Sequence, residues 1–159
     1  MRKKHEGQKR IQGTPYYLHP LAVSTILKEK GFDEEYQIVG LFHDLLEDTD
    51  TTYYDILNHS NVKIAEAVRL VTKEAGYNKT DYFSRIKQND MARMVKLADR
   101  IHNLLEAPFA SNKFQEKYIK ETEEWFLDLA KDTVFEEDLS NALNHLKDSF
   151  SKSTKFKTL

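Results

Sequence analysis

The 159-residue chain contains no cysteine. This excludes disulfides, thiolate metal sites and a cysteine nucleophile, and it agrees with a reducing cytosol. Glycine and proline are scarce, at five and three residues. Tight turns are therefore few, and long helices are favoured. There is no basic excess: 24 Lys and Arg stand against 26 Asp and Glu, for a net charge of −2. A general nucleic-acid partner is not expected on that balance. Long apolar runs are missing too. The longest, Ile38–Phe42, falls far short of the roughly 20 residues a bilayer-spanning helix needs. The opening "MRKK" is not followed by the apolar stretch of a signal peptide. These absences together predict a soluble cytoplasmic protein that makes no use of a membrane.

What is present is helical periodicity. Leu21, Val23, Ile26 and Leu27 form an apolar stripe with Pro20 in its first turn and Gly31 as its stop. Asp33 is placed to cap a helix over 34–47 that points Tyr36, Val39, Leu41, Phe42, Leu45 and Leu46 inward. Helices follow in "TYYDILNHS", "VKIAEAVRLVTK", "DYFSRIKQND" and "MARMVKLADRIHNLLEA", the last ended by Pro108. "KFQEKYIKETEEWFLDLA" is amphipathic through Tyr118, Trp125, Phe126 and Leu129, and a final helix is expected over about 135–150. β-branched alternation is absent. The pattern predicts an all-α fold, a single compact bundle of about seven to nine helices spanning 1–150, with a polar, frayed tail at 151–159.

Four ionisable residues interrupt this apolar scheme in "FHDLLED". His43 and Glu47 are four apart, as are Asp44 and Asp48, so each pair falls on one side of a continuous helix. Burying such groups without partners costs several kcal/mol, on the order of 2–7 for a polar group and more for a charge. A divalent cation is an efficient partner, because it neutralises carboxylates and accepts a neutral imidazole nitrogen. Two further donors lie elsewhere. His19 opens the helix before, next to Pro20, and Asp99 sits on the strongly apolar helix of "VKLADRIHN". His19, His43, Asp44 and Asp99 would supply two nitrogens and at least two oxygens. That sulfur-free set suits Mn²⁺, Fe²⁺, Co²⁺ or Mg²⁺ at six coordinates, or Zn²⁺ with fewer.

The order H…HD…D is the signature of the HD-domain metal-dependent phosphohydrolases. The segments "HEGQKRIQGTPYYLHPLAV", "LFHDLLEDTDTTYYDI", "VTK" and "VKLADRIHNL" resemble the hydrolase domain of Rel/SpoT-type enzymes and stand-alone small alarmone hydrolases, over about residues 5–106. No synthetase domain is expected to follow. The resemblance implies an HD-domain helical bundle around one metal ion, usually Mn²⁺. It implies removal of the 3′-pyrophosphate of guanosine tetra- or pentaphosphate, with GDP or GTP as product. His19, His43, Asp44 and Asp99 match the family's metal ligands, Glu47 and Asp48 its acidic pair at the nucleophilic water. Arg10 matches a phosphate contact and Asn103 a nucleoside contact. Lys9 beside Arg10 could help offset phosphoryl charge. A homo-oligomer could supply a pocket wall, since only four residues precede His5 where the family carries a helix.

Some positions depart from that pattern. Ile11 and Gln12 stand where the family has a second basic residue and a small polar one, and Leu104, Leu105, Glu106 and Ala107 replace Met-Arg-Thr-Leu. These positions bear on the nucleotide and not on the metal. Three functions therefore fit the residues: an alarmone hydrolase, an HD phosphohydrolase of another nucleotide or phosphoester, and a nucleotide-binding module without turnover.

Overall fold

The computed structural model describes residues 1–157. It is all-α: among the described residues there is no strand, only an isolated bridge between Lys9 and Pro15. No helix among them is long and apolar enough to cross a membrane. The helices are α1 (Leu18–Glu29), α2 (Glu34–Phe42), α3 (Leu45–Asp48), α4 (Tyr53–His59), α5 (Val62–Val71), α6 (Lys79–Gln88), α7 (Asp90–Glu106), α8 (Asn112–Glu121), α9 (Leu127–Ala130) and α10 (Glu136–Lys157), with short 3₁₀ turns at Arg2–His5 and Ala107–Phe109. A π-turn, Thr122–Phe126, joins α8 to α9. If α2 with α3 and α8 with α9 are each counted once, the described residues hold eight helices.

The chain divides into two compact units, Met1–Asp99 and the residues from Arg100 onward, with the boundary inside α7. In the first unit, capping residues place the helix starts. The Asp33 carboxylate accepts from the backbone N–H groups of Glu35 and Tyr36, and Thr52 and Asp55 form a reciprocal capping box. Gly31 ends α1 with φ +85°, a conformation that strains any residue with a Cβ. The core is built from Val23, Leu27, Val39, Ile64, Val68, Ile86, Val95 and Leu97, all essentially removed from water. Each such side chain stabilises the fold by roughly 1.5–3 kcal/mol. Gly40 lets α1 and α2 approach closely: a Cβ there would stand 2.9 Å from Leu27 Cδ1 and 3.3 Å from Ser24 Cα.

The expected helix over 34–47 is interrupted. Backbone torsions at Asp44 drift to φ −97°, ψ −4°, so α2 stops at Phe42 and α3 starts at Leu45. Of the six residues expected to point inward there, Val39 and Leu45 are buried, while Tyr36, Leu41, Phe42 and Leu46 are half-buried. On α1, Leu21 is largely exposed and Val23 and Leu27 carry the packing.

In the second unit, Phe126, Leu129, Phe135, Leu139, Leu143 and Leu146 form the core. The guanidinium of Arg100 is buried there, over the rings of Tyr118 (4.4 Å) and Phe126 (4.1 Å) and paired with Glu121 at 2.5 Å. The final helix runs on to Lys157, beyond the 150 expected from the sequence. Part of the segment read as a frayed tail is thus helical, and its last two residues lie outside the described residues.

Candidate metal centre

Three helices bring the ionisable residues of the first unit together. His19 lies in the first turn of α1, His43 and Asp44 lie in the break between α2 and α3, and Asp99 lies on α7. His19 Nε2 is 3.0 Å from Asp99 Oδ1 and 3.7 Å from Asp44 Oδ2. His43 Nε2 is 3.1 Å from Asp44 Oδ2 and 3.6 Å from Asp99 Oδ1. His19, His43 and Asp99 are buried and offer donor atoms that all lie within 4.8 Å of one another. The break at Asp44 tips its carboxylate in beside them.

Outer contacts aim these donors. The Nδ1–H of His43 donates to the Gly40 carbonyl at 2.7 Å, which turns Nε2 toward the cluster. That Nε2 is buried with no hydrogen-bond partner, although Asp44 Oδ2 stands nearby. An orphaned buried nitrogen facing two carboxylates fits a bound cation. Asp99 divides its oxygens: Oδ1 faces the imidazoles, while Oδ2 accepts from the Lys96 ammonium at 3.0 Å. The Asp99–Arg100 dipeptide is therefore not a local ion pair, since the arginine pairs with Glu121.

Electrostatics follow from this packing. Burial alone would strip the proton from His43, but Asp44 and Asp99 push its pKa well above the usual imidazole value in the metal-free cluster. Burial likewise opposes the charge on Asp44 and Asp99. The facing histidines nevertheless hold Asp44 below the ordinary carboxylate range, and Lys96 with both histidines holds Asp99 well below it.

The acidic pair behaves differently from its spacing. Asp48 remains with Asp44, because the Tyr16 hydroxyl reaches both, at 2.7 Å from Asp44 Oδ2 and 3.0 Å from Asp48 Oδ2. The Glu47 carboxylate instead takes the backbone N–H of Lys73 at 2.5 Å. Burial raises the Glu47 pKa above that of a free carboxyl group. Arg10 is half-buried, with its guanidinium 5.7 Å from the centre of the Tyr16 ring, whereas Lys9 is exposed. Asn103 is half-buried on α7, one turn after Asp99.

Sequence reasoning missed Tyr16, Lys96 and Gly40. Lys96 carried a signal, being a cation three residues before Asp99 on an apolar helix. Tyr16 and Gly40 carried none, because their roles arise between segments distant in the chain. His5 is buried against Tyr16.

Residues 1–133 match the HD domain family. The chain belongs to that family. This HD domain is 36% identical over 137 residues to a guanosine-3′,5′-bis(diphosphate) 3′-pyrophosphohydrolase of Aquifex aeolicus, over 81% of this chain and 20% of that protein. It is 38% identical over 114 residues to the bifunctional (p)ppGpp synthase/hydrolase SpoT of Escherichia coli, over 65% of this chain and 16% of that protein. The chain thus spans about a fifth or less of the length of the curated relatives it matches. A solved structure of a metazoan ortholog of SpoT that hydrolyzes ppGpp superposes with a TM-score of 0.79 at 25% identity, covering 90% of this chain and 89% of that one. The expected relation to Rel/SpoT-type hydrolases is therefore met.

Proposed function

We propose that this HD domain is a metal-dependent phosphohydrolase that removes the 3′-pyrophosphate of guanosine tetra- or pentaphosphate, leaving GDP or GTP. The observation that carries this reading is the convergence of His19, His43, Asp44 and Asp99 beside Asp48. The activities named for its relatives support the substrate. The four residues would hold one divalent cation, Mn²⁺ by the family resemblance, in a sulfur-free donor set that also suits Fe²⁺, Co²⁺, Mg²⁺ or Zn²⁺. Once bound, such a cation supplies a water of lowered pKa and polarises a phosphoryl oxygen.

The protein's own residues supply the rest. Asp48 is held from two sides, by the Tyr16 hydroxyl on its carboxylate and by the Gln8 amide, which donates to its backbone carbonyl at 2.8 Å. That fixed carboxylate orients the attacking water. Glu47, whose pKa partial burial raises above that of a free carboxyl group, takes the proton. Arg10, and Lys9 beside it, offset charge on the departing phosphoryl group, and Asn103 meets the nucleoside. We further propose a cytoplasmic location and no nucleic-acid partner. We also propose one functional domain over 1–150, supported by a family match that runs past the boundary between the two units. A homo-oligomer is a further proposal, resting on the resemblance alone.

Purified protein incubated with Mn²⁺ and guanosine tetraphosphate tests the reading. GDP and pyrophosphate are the expected products, and no pyrophosphate release refutes it. A second reading, hydrolysis of another nucleotide or phosphoester, is favoured by Ile11, an apolar residue 65% exposed directly after Arg10. Phosphate release from mononucleotides in the same assay selects it.

A further inference from the structure

Tyr16 touches three groups to which the proposed function gives different tasks. Its hydroxyl lies 2.7 Å from Asp44 Oδ2, a proposed metal ligand, and 3.0 Å from Asp48 Oδ2, a proposed acid at the water. Its ring stands 5.7 Å from the guanidinium carbon of Arg10, a proposed phosphate contact. The ring is also seated from its other side. His5 stacks on it at 4.9 Å with a 30° tilt, and the His5 Nδ1–H is held by Gln8 at 2.7 Å. Gln8 in turn grips the Asp48 carbonyl. The loop that presents Tyr16 is closed by the Lys9–Pro15 bridge and by Arg10 N–H to Thr14 carbonyl at 2.9 Å.

We infer that Tyr16 is a positioning residue that sets Asp48 against the metal ligand Asp44 and seats Arg10 on its ring. One hydroxyl carries one proton and faces two carboxylates, so it donates to one at a time. The contact to Asp44 is in the short range of charge-assisted O–H···O⁻ bonds. The phenol is suited to this task because a tyrosine hydroxyl, with an ordinary pKa of about 10, remains a donor at neutral pH.

This inference rests on the proposed function for its consequences in turnover, but not for its consequence in metal binding. The test compares wild type, Tyr16→Phe and Tyr16→Leu. Tyr16→Phe keeps the ring on His5 and Arg10 and removes only the hydroxyl. It is expected to bind Mn²⁺ about 10-fold more weakly in a calorimetric titration, within the 10–100-fold usual for lost outer contacts to metal ligands. Its kcat should fall by a similar factor of about 10–100, with KM within about twofold of wild type. Tyr16→Leu, which also removes the ring, should add a rise in KM. In an Asp48→Asn background, Tyr16→Phe should reduce kcat by less than about threefold, because the group it positions is already lost. Wild-type Mn²⁺ affinity and turnover in Tyr16→Phe, or a fully additive loss with Asp48→Asn, would overturn the inference. If wild type releases no pyrophosphate, the substrate reading fails, and the Mn²⁺ titrations still decide the role of the hydroxyl.

Discussion

Replacing Lys96 by methionine isolates the cation that faces the back of the metal centre. Lys96 Nζ lies 3.0 Å from Asp99 Oδ2, and both side chains are 9% exposed. Methionine keeps most of the volume and removes the charge, so Asp99 is left with one buried oxygen short of its cation. Breaking a buried pair from one side costs about 3–5 kcal/mol. Asp99 keeps His19 at 3.0 Å and His43 at 3.6 Å on its other oxygen, which argues for the lower end, about 3 kcal/mol. For a chain of this size each kcal/mol moves the melting temperature by about 2–4 °C, so a drop of about 6–12 °C is expected in metal-free protein. Saturating Mn²⁺ should narrow the gap, because a cation on Oδ1 offsets part of the lost charge. The assay is thermal unfolding of chelator-treated and Mn²⁺-loaded wild type and Lys96→Met. A metal-free difference below about 2 °C would refute the view that Lys96 compensates Asp99.

Cation and proton should compete at His43. Its pKa is raised in the metal-free cluster, so below that raised value an entering ion must displace a proton from Nε2. Below that raised value Mn²⁺ affinity should climb about tenfold per pH unit, with about one proton released per ion in calorimetry across buffers. An affinity that does not change with pH counts against it. Glu47→Gln should lower kcat by about 10²–10⁴-fold. Because Glu47 must be ionised to accept a proton and its pKa is raised, wild-type activity should fall, as pH drops, at a value above that of a free carboxyl. The Glu47→Gln variant should lose that limb, and an unchanged pH–rate profile would exclude Glu47 as the base. Gly40→Ala should destabilise the fold by about 1–2 kcal/mol in urea titration. Crowding against Leu27 and Ser24 costs about 1–3 kcal/mol, and better helix propensity returns up to about 1 kcal/mol. A more stable variant would show that α1 and α2 can separate freely.

Much of this protein was determined by its chain alone. Apolar spacing, few glycines and prolines and the caps at Asp33 and Thr52 are local properties, and local hydrogen bonds and periodic burial act on them directly, so the all-α class and most helix starts were legible. His19, His43, Asp44 and Asp99 were legible for a related reason: charges inside apolar stretches conflict with their surroundings and imply a shared partner. What only tertiary packing decided is how those residues are supported. Torsions at Asp44 break the helix, and a contact with Lys73 across 26 positions takes up Glu47. Tyr16 meets Asp44 and Asp48 across 28 and 32 positions. Gly40 matters through a neighbour on another helix. Such roles depend on distances between segments that come together only when the core closes, and no residue type or spacing encodes them.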